Sequence, residues 1–353
     1  AIPSVITEEI EDLICGYHLA ILRPNNKING VFLMFVLQQP DLKNYFARVA
    51  NGSTRYGLTI GDIEKAKIKY PNLPEQLRIA KILTIVDHII EKTEQGIAKY
   101  KAIKQGMLHD LFTRGIDLTT GKLRPRYEEV PELYKESKLG WVPREWGVDT
   151  IENISKRIWI GLVTTMTTHY VENGIPLIRN NNIRDNRIDK NGMIQLDKTF
   201  SDNNSQRYLH EGDIVTVHTG DIGTSAIIDK HLDPSHGFAT INTKVDAHKI
   251  NNEFLCYYFN SMHFKNRIEM YATGDGRSNF NLYDFLYILI VFPKNIKEQK
   301  LITEGLNSLD KKLHIEQSYL HKLQMLKAGL MVDLLSEKKL VKVEDESLMQ
   351  SGN

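Results

Sequence analysis

Nine consecutive positions, Arg179-Asn180-Asn181-Asn182-Ile183-Arg184-Asp185-Asn186-Arg187, hold three arginines and four asparagines. A guanidinium fork matches the O6/N7 edge of guanine, and an Asn amide matches the N6/N7 edge of adenine. Arg179, Asn180, Asn181, Asn182, Arg184 and Arg187 are therefore candidates for contact with base edges. A solvated, turn-forming Asn/Asp loop is the competing explanation. A second group lies in the Gly-rich loop Gly274-Asp275-Gly276-Arg277-Ser278-Asn279, where small residues let backbone amides approach a phosphate. Its candidates are Arg277, Ser278 and Asn279. The related stretch Gly52-Ser53-Thr54-Arg55-Tyr56-Gly57 adds Arg55 and Tyr56, although a purely structural turn explains the same glycines. A third group is His218-Thr219, ahead of Gly220-Asp221, where His218 could donate to a base or a phosphate or simply pack. Lys156 and Arg157, just before Trp159, could touch a nucleic-acid backbone or remain solvated.

Catalytic patterns are missing from the sequence. It contains no HExxH, no CxxC, no Gly-x-Ser-x-Gly and no Asn-Pro-Pro-aromatic motif of the kind that holds a flipped adenine. Gly115 to Gly121 with Lys122-Leu123 is one residue too long for a phosphate loop and has Leu where Ser or Thr must bind Mg²⁺. The histidines at 231 and 236, or 314 and 321, lack the helical spacing of metal ligands. Across 353 residues, 45 Lys and Arg oppose 44 Asp and Glu, a net charge of +1. A protein that binds nucleic acid alone usually carries a basic excess, so a DNA role here calls for a partner supplying most phosphate contacts. Two cysteines, Cys15 and Cys256, offer no disulfide framework and fit a reducing cytoplasm. No apolar run approaches the ~18 residues of a membrane span, and Glu8, Glu9, Glu11 and Asp12 are not what a signal peptide is expected to carry.

The elements that must position these residues occur twice. Phe32-Leu33-Met34-Phe35 aligns with Phe254-Leu255-Cys256-Tyr257 at an offset of 222, and Ile68-Lys69-Tyr70-Pro71 with Ile290-Val291-Phe292-Pro293. Arg55 meets Arg277 at the same offset. One inserted residue then aligns Glu75-Gln76 with Glu298-Gln299, Asp87 with Asp310, and Lys104-Gln105-Gly106 with Lys327-Ala328-Gly329. So long a period indicates a domain followed by a helix, repeated once. By this offset Ala1 corresponds to a position near Thr224, so the first copy is expected to lack its N-terminal half, the alternative being a naturally shorter first domain. Stepping four and three from Ile79 reads Ile79, Leu83, Val86, Ile90, Thr93, Ile97, Tyr100, Lys104, Met107 and Leu111. The second copy reads Ile302, Leu306, Leu309, Leu313, Glu316, Leu320, Leu323, Lys327, Leu330 and Leu334, with polar residues at the same two steps. Each register is a coiled-coil seam, and matched polar positions fix pairing at a cost in stability. Two helices of about 40 residues, roughly 60 Å long, are expected to pack antiparallel. Within the domains the pattern predicts a helix over Asn29–Tyr45, a strand over Ala66–Tyr70, strands over Ile175–Ile178, Ile214–His218, Ser225–Asp229 and Tyr287–Phe292, and a helix over Asn252–Ala272. The stretch between the first long helix and the second domain reads as a charged, Pro-interrupted connection, and the tail after Lys338 as loose.

Each long helix opens on a Pro-to-Glu-Gln segment, Pro71-Asn72-Leu73-Pro74-Glu75-Gln76 and Pro293 through Glu298-Gln299. The first continues as Ile79-Ala80-Lys81-Ile82-Leu83 and ends Lys104-Gln105-Gly106-Met107-Leu108-His109-Asp110-Leu111-Phe112-Thr113-Arg114-Gly115-Ile116. Leu139-Gly140-Trp141-Val142-Pro143-Arg144-Glu145-Trp146 opens the second copy, and Gly212-Asp213-Ile214 follows. With the tandem repeat, these motifs resemble the specificity subunit of a Type I restriction–modification system over nearly the whole chain. The resemblance implies an α+β fold with two tandem target-recognition domains, the first partial, separated by two long helices packed as an antiparallel coiled coil. The corresponding parts are a partial first recognition domain at 1–72, a first spacer helix at 73–115, a linker at 116–139, a second recognition domain at 140–293, a second spacer helix at 294–338 and a tail at 339–353. It also implies a noncatalytic role. Each domain reads half of a split double-stranded DNA target, while the helices dock two methyltransferase subunits that use S-adenosylmethionine on adenine, and restriction/translocase subunits that use ATP and Mg. No cofactor is expected on this chain itself. A homodimer or a complementing N-terminal fragment is a further implied arrangement. A coiled-coil scaffold whose globular ends bind proteins is the alternative of a different class.

Overall fold

The computed structural model describes residues 2–16, 18–52, 56–270 and 280–336. The chain divides into two compact units, one made of Ala1–Lys99 with Leu313–Asn353 and the other of Tyr100–Lys312. Two long helices, Leu73–Thr113 and Ile296–Leu335, contribute one part to each unit. This partition cuts across the two sequence copies, because each globular part packs on a segment of both helices.

In the first unit, helices Gly30–Leu37, Pro40–Val49 and Ile60–Glu64 precede the long helix. The single helix expected over Asn29–Tyr45 is two helices. Pro40 has no N–H to continue the first and is well suited to begin the second. Asn29 caps the first helix, its side chain accepting from the Phe32 amide at 3.0 Å. The strand expected over Ala66–Tyr70 does not form. Its counterpart in the other unit, Leu289–Pro293, is a strand because it pairs with Trp146–Thr150; among the described residues nothing pairs with 66–70. The core joins Phe32, Phe35, Val36, Leu42 and Phe46 to Ile79, Ala80 and Leu83 of the first long helix and Leu335 of the second. Residues 2–23 form no helix or strand in their described part and leave Ile2, Ile6, Ile10, Leu13, Ile14, Leu19, Ile21 and Leu22 exposed.

In the second unit a four-stranded antiparallel sheet runs in the order Ser225–Ile227, Ile214–Val217, Thr240–Val245, Ser155–Ile160. A second sheet runs His236–Gly237, Ile175–Ile178, Ile194–Leu196, Tyr170–Val171, its first pair parallel. The expected strands at 214–218 and 225–229 are therefore present with slightly earlier ends. The helix expected over Asn252–Ala272 is two helices, Asn252–Phe259 and Met262–Glu269, broken at Asn260-Ser261, and residues 271 and 272 lie outside the described part. Tyr287 closes a short helix, Leu282–Tyr287, before the strand Leu289–Pro293. The connection after the first long helix is more ordered than its prolines suggest, with hairpins Ile116–Asp117/Lys122–Leu123 and Tyr134–Ser137/Gly140–Pro143. Its main core gathers Phe254, Leu255, Tyr258, Phe259, Phe264, Phe285 and Trp146 against Leu108, Leu111 and Phe112 of one long helix and Ile302 and Leu306 of the other.

The sequence repeat is also a repeat of contacts. Gln76, fully buried, accepts from the Asn29 amide (2.9 Å) and donates to the carbonyls of Lys27 (3.0 Å) and Pro71 (2.8 Å). Gln299, equally buried, accepts from the Asn251 amide (2.6 Å) and donates to the carbonyls of Lys249 (3.2 Å) and Pro293 (2.7 Å). A buried amide that satisfies three backbone groups fixes how each helix leaves its globular part. The helices run antiparallel: Lys327 pairs with Asp87 at 2.6 Å in the first unit, and Lys104 with Asp310 at 2.5 Å in the second. Thus the shared polar seam step occupied by Lys104 and Lys327 is filled by reciprocal ion pairs. Thr93, at the other shared step, bonds back to the Ile89 carbonyl at 2.8 Å.

Candidate nucleic-acid interface

The Arg/Asn run lies in the second unit at the end of strand Ile175–Ile178. It begins with one 3-10 turn, Asn180–Asn182, and continues as a two-residue-per-side hairpin, Ile183–Arg184 against Arg187–Ile188. Asn182 is buried and makes the turn. Its Oδ1 accepts from the Arg179 amide (3.1 Å) and its Nδ2 donates to the Asp189 carbonyl (3.1 Å). Both ends of this amide are occupied by backbone, so Asn182 is removed from direct base readout and becomes the support of the loop. Arg179 is half-buried, with one guanidinium nitrogen 3.3 Å from the Gly192 carbonyl. Asn181, Arg184 and Arg187 are exposed, and the two arginines sit opposite each other across the hairpin. At its turn Asn186 adopts φ +60°, a left-handed conformation that Asn tolerates better than most residues.

Tertiary structure brings two of the candidate groups together. Asn180 donates from Nδ2 to the Thr219 carbonyl at 3.1 Å, joining the Arg/Asn turn to the loop after strand Ile214–Val217. The His218 carbonyl accepts from the amide of Phe280, the first described residue after the Gly-rich loop, at 2.9 Å. Arg277, Ser278 and Asn279 themselves lie outside the described residues, as does Arg55. His218 is half-buried, with Nε2 shielded and without a hydrogen-bond partner. Tyr56 is 77% exposed and belongs to the first unit. Arg157 stacks over Trp159 at 4.5 Å and donates to the Gln206 carbonyl at 2.6 Å, so much of its bonding capacity is used locally.

Two residues that sequence reasoning missed hold the hairpin in place. Asn260, buried at the end of helix Asn252–Phe259, donates to the Asn186 side chain (2.8 Å), and Lys265 pairs with Asp185 at 3.2 Å. An Asn after a run of aromatic residues signals a helix end and nothing more, and only the tertiary contact marks it. Exposed guanidiniums and amides can read base edges, and among the described residues no group of three or more His, Cys, Asp or Glu side chains is placed to hold a metal ion. Nor is any helix there long and apolar enough to cross a membrane.

Comparison with known proteins bears on the family of the chain. The pattern of the family described as "Type I restriction modification DNA specificity domain" matches residues 5–100 and 144–325. The type I restriction enzyme MjaVIII specificity subunit of Methanocaldococcus jannaschii is 27% identical over 330 residues, covering 91% of this chain and 73% of that protein. A second protein of the same organism, carrying the name MjaX specificity subunit, is 27% identical over 336 residues, covering 94% of this chain and 73% of that one. The crystal structure of a Type-I restriction-modification system S subunit from M. genitalium matches with a TM-score of 0.57, covering 88% of this chain and 73% of that chain at 17% identity, which is a likeness of fold. Since the family pattern spans well over half of its length, this chain belongs to the Type I restriction modification DNA specificity family.

Proposed function

We propose that the second unit reads one part of a two-part DNA target with the surface built from the Arg179–Arg187 run and the His218-Thr219 loop. The observation that carries this reading is the convergence of the Arg/Asn turn, the His218 loop and Phe280 at one place. The chain is a DNA-sequence specificity subunit by family. In this reading it contributes recognition and geometry, and the chemistry belongs to its partners. Two methyltransferase subunits bring S-adenosylmethionine and act on adenine N6, and restriction/translocase subunits bring ATP and Mg. A net charge of +1 supports such a division of labour, because phosphate contacts carry much of DNA affinity and the partners then complete the cationic clamp. Exposed Arg184 and Arg187 are the strongest candidates for base contact, and Asn180, Asn181, Arg179 and His218 line the approach to them.

The test is methylome sequencing of a modification-free bacterium that expresses the full chain with its methyltransferase partner. A two-part adenine-methylated motif that depends on this chain is expected. A base contact by a guanidinium is worth about 1–3 kcal/mol, so Arg184→Ala should weaken binding to that motif about tenfold while leaving random DNA nearly unchanged. Equal loss on both DNAs would assign Arg184 to phosphate instead. Stable complex formation without any new methylation would favour a protein-binding scaffold.

A further inference from the structure

We infer that Asn260, which is remote from the exposed arginines along the chain, is a positioning residue for DNA discrimination: it holds the Arg184–Arg187 hairpin in its reading orientation. The inference rests on the reading that this hairpin contacts bases. A hairpin with two ladder residues on each side is too short to keep its own direction. Its turn depends on Asn186 at φ +60°, held at two points. The Asn186 amide donates to the Ser225 carbonyl at 2.9 Å, and the Asn186 side chain accepts from Asn260 Nδ2 at 2.8 Å. Asn260 is itself anchored. Its Oδ1 accepts from the Ser225 amide (2.9 Å), and its Nδ2 also faces the carbonyls of Ser225 (2.8 Å) and Cys256 (3.1 Å). The amide thus locks helix end, sheet strand and hairpin turn into one piece. The second tether, Lys265 to Asp185, joins a side chain that is 54% exposed and is screened by salt, so it cannot replace the first.

The chemistry at this position is particular. An Asp would keep the acceptor but turn a carboxylate toward three oxygen atoms that now receive hydrogen bonds from an amide. An Ala would strip the Asn186 side-chain oxygen of its donor and the Ser225 amide of its acceptor. A tilted hairpin keeps its charge and still attracts phosphate, but a guanidinium reads guanine only when its plane meets the base edge. Loss of Asn260 should therefore damage discrimination and spare nonspecific affinity.

The experiment uses the full chain assembled with its methyltransferase partner, titrated with a duplex carrying the methylated motif and with a scrambled duplex. Wild type, Arg184→Ala, Asn260→Ala and the double variant are compared, with melting temperature and hydrogen exchange at 183–188 followed alongside. Asn186→Gly is included because it deletes only the acceptor at a turn that glycine adopts freely. Expected are a roughly tenfold fall in the motif-to-scrambled affinity ratio for Asn260→Ala and for Asn186→Gly, scrambled-duplex affinity within about twofold of wild type, faster exchange at 183–188, and no further fall in the double variant, since residues acting through one another are non-additive. An unchanged ratio for both Asn260→Ala and Asn186→Gly, in a background where Arg184→Ala lowers it, overturns the positioning role. So does equal loss on both duplexes, or additivity in the double variant. If Arg184→Ala leaves the ratio intact, the base-reading assignment of the hairpin fails first and this inference falls with it.

Discussion

His236 lies fully buried in strand His236–Gly237, with its ring 4.6 Å from that of Tyr208. Burial lowers its pKa to about 4, outweighing the Ser201 and Arg207 backbone groups that favour the protonated ring. The unfolded chain protonates this imidazole near 6.5, so between about 6.5 and about 4 the unfolded state binds the extra proton and the folded state does not. Stability from this residue is therefore complete above about pH 6.5 and is lost as pH falls towards 4, by about 3 kcal/mol in total. Carboxylates with lowered pKa, such as Asp197 and Asp233, lose their contribution only below the ordinary value of 3.8, so the two effects occupy different windows. Urea denaturation of the full chain at pH 7, 5.5 and 4.5 should show this decline, and His236→Gln should flatten it. A wild-type profile flat from pH 7 to 4.5 would show that the ring is accessible to protons in the folded state. Nothing in the sequence marks His236, one of 12 histidines, as the buried one.

At the scale of elements, the start of the second long helix is held by a buried ionic knot. Glu298 receives both guanidinium nitrogens of Arg124 (2.5 and 3.0 Å), the Trp146 indole N–H (3.1 Å) and the Ile116 amide (3.0 Å). The arrangement ties the end of one long helix, the following hairpin, the strand Trp146–Thr150 and the start of the other long helix. Gly115, at φ +62°, passes so close to Glu298 and Trp146 that any Cβ there would overlap both. Removing one partner of a buried pair leaves the other uncompensated at a cost of about 3–5 kcal/mol. Glu298→Gln, which weakens the pair without deleting its shape, is expected to cost about 3 kcal/mol in urea denaturation of the transition that includes the second unit. Glu75, its counterpart in the repeat, is half-buried, and among the described residues its carboxylate has no hydrogen bond or ion pair. It acts there as a helix N-terminal charge, worth at most about 1 kcal/mol, so Glu75→Gln should be nearly silent. Equal effects of the two substitutions would show that the knot does not stabilise the protein.

At the scale of the whole molecule, two ion pairs lie at equivalent places on the helix pair, one within each unit. Lys104 meets Asp310 and sits 5.6 Å from the centre of the Tyr257 ring, and Lys327 meets Asp87 and sits 5.6 Å from that of Phe35. Burial and the nearby Asp310 carboxylate push the Tyr257 hydroxyl well above the usual tyrosine range, so it donates to Asp310 at 2.8 Å throughout the working pH range. The lysine and aspartate side chains are 15–35% exposed, between a surface pair worth under ~1 kcal/mol and a buried one worth several. Lys104→Asp or Asp310→Lys alone is expected to destabilise by about 1–2 kcal/mol in thermal melts, since each places like charges together. The double exchange should recover more than half, limited by loss of the lysine over Tyr257. A double variant as unstable as the sum of the singles would mean that the pair does not determine register.

The sequence by itself determined the periodic and repeated features: two long helices with matched seams, the α+β composition of the parts between them, the strands around 214 and 225, and the absence of a catalytic motif. These are legible because helix periodicity, glycine turns and self-similarity are local or can be counted. Tertiary structure alone decided the rest. It split two expected helices at Pro40 and at Asn260, and left 66–70 out of any sheet because a strand exists only with a partner. It turned Asn182 inward while leaving neighbouring Asn181 in solvent, and brought Asn180, Thr219 and Phe280 together from positions up to 100 residues apart in the chain. Residue type says what a side chain can donate or accept. Only packing decides whether backbone or solvent is there to receive it, because each buried polar group must be satisfied by whatever the fold places within reach.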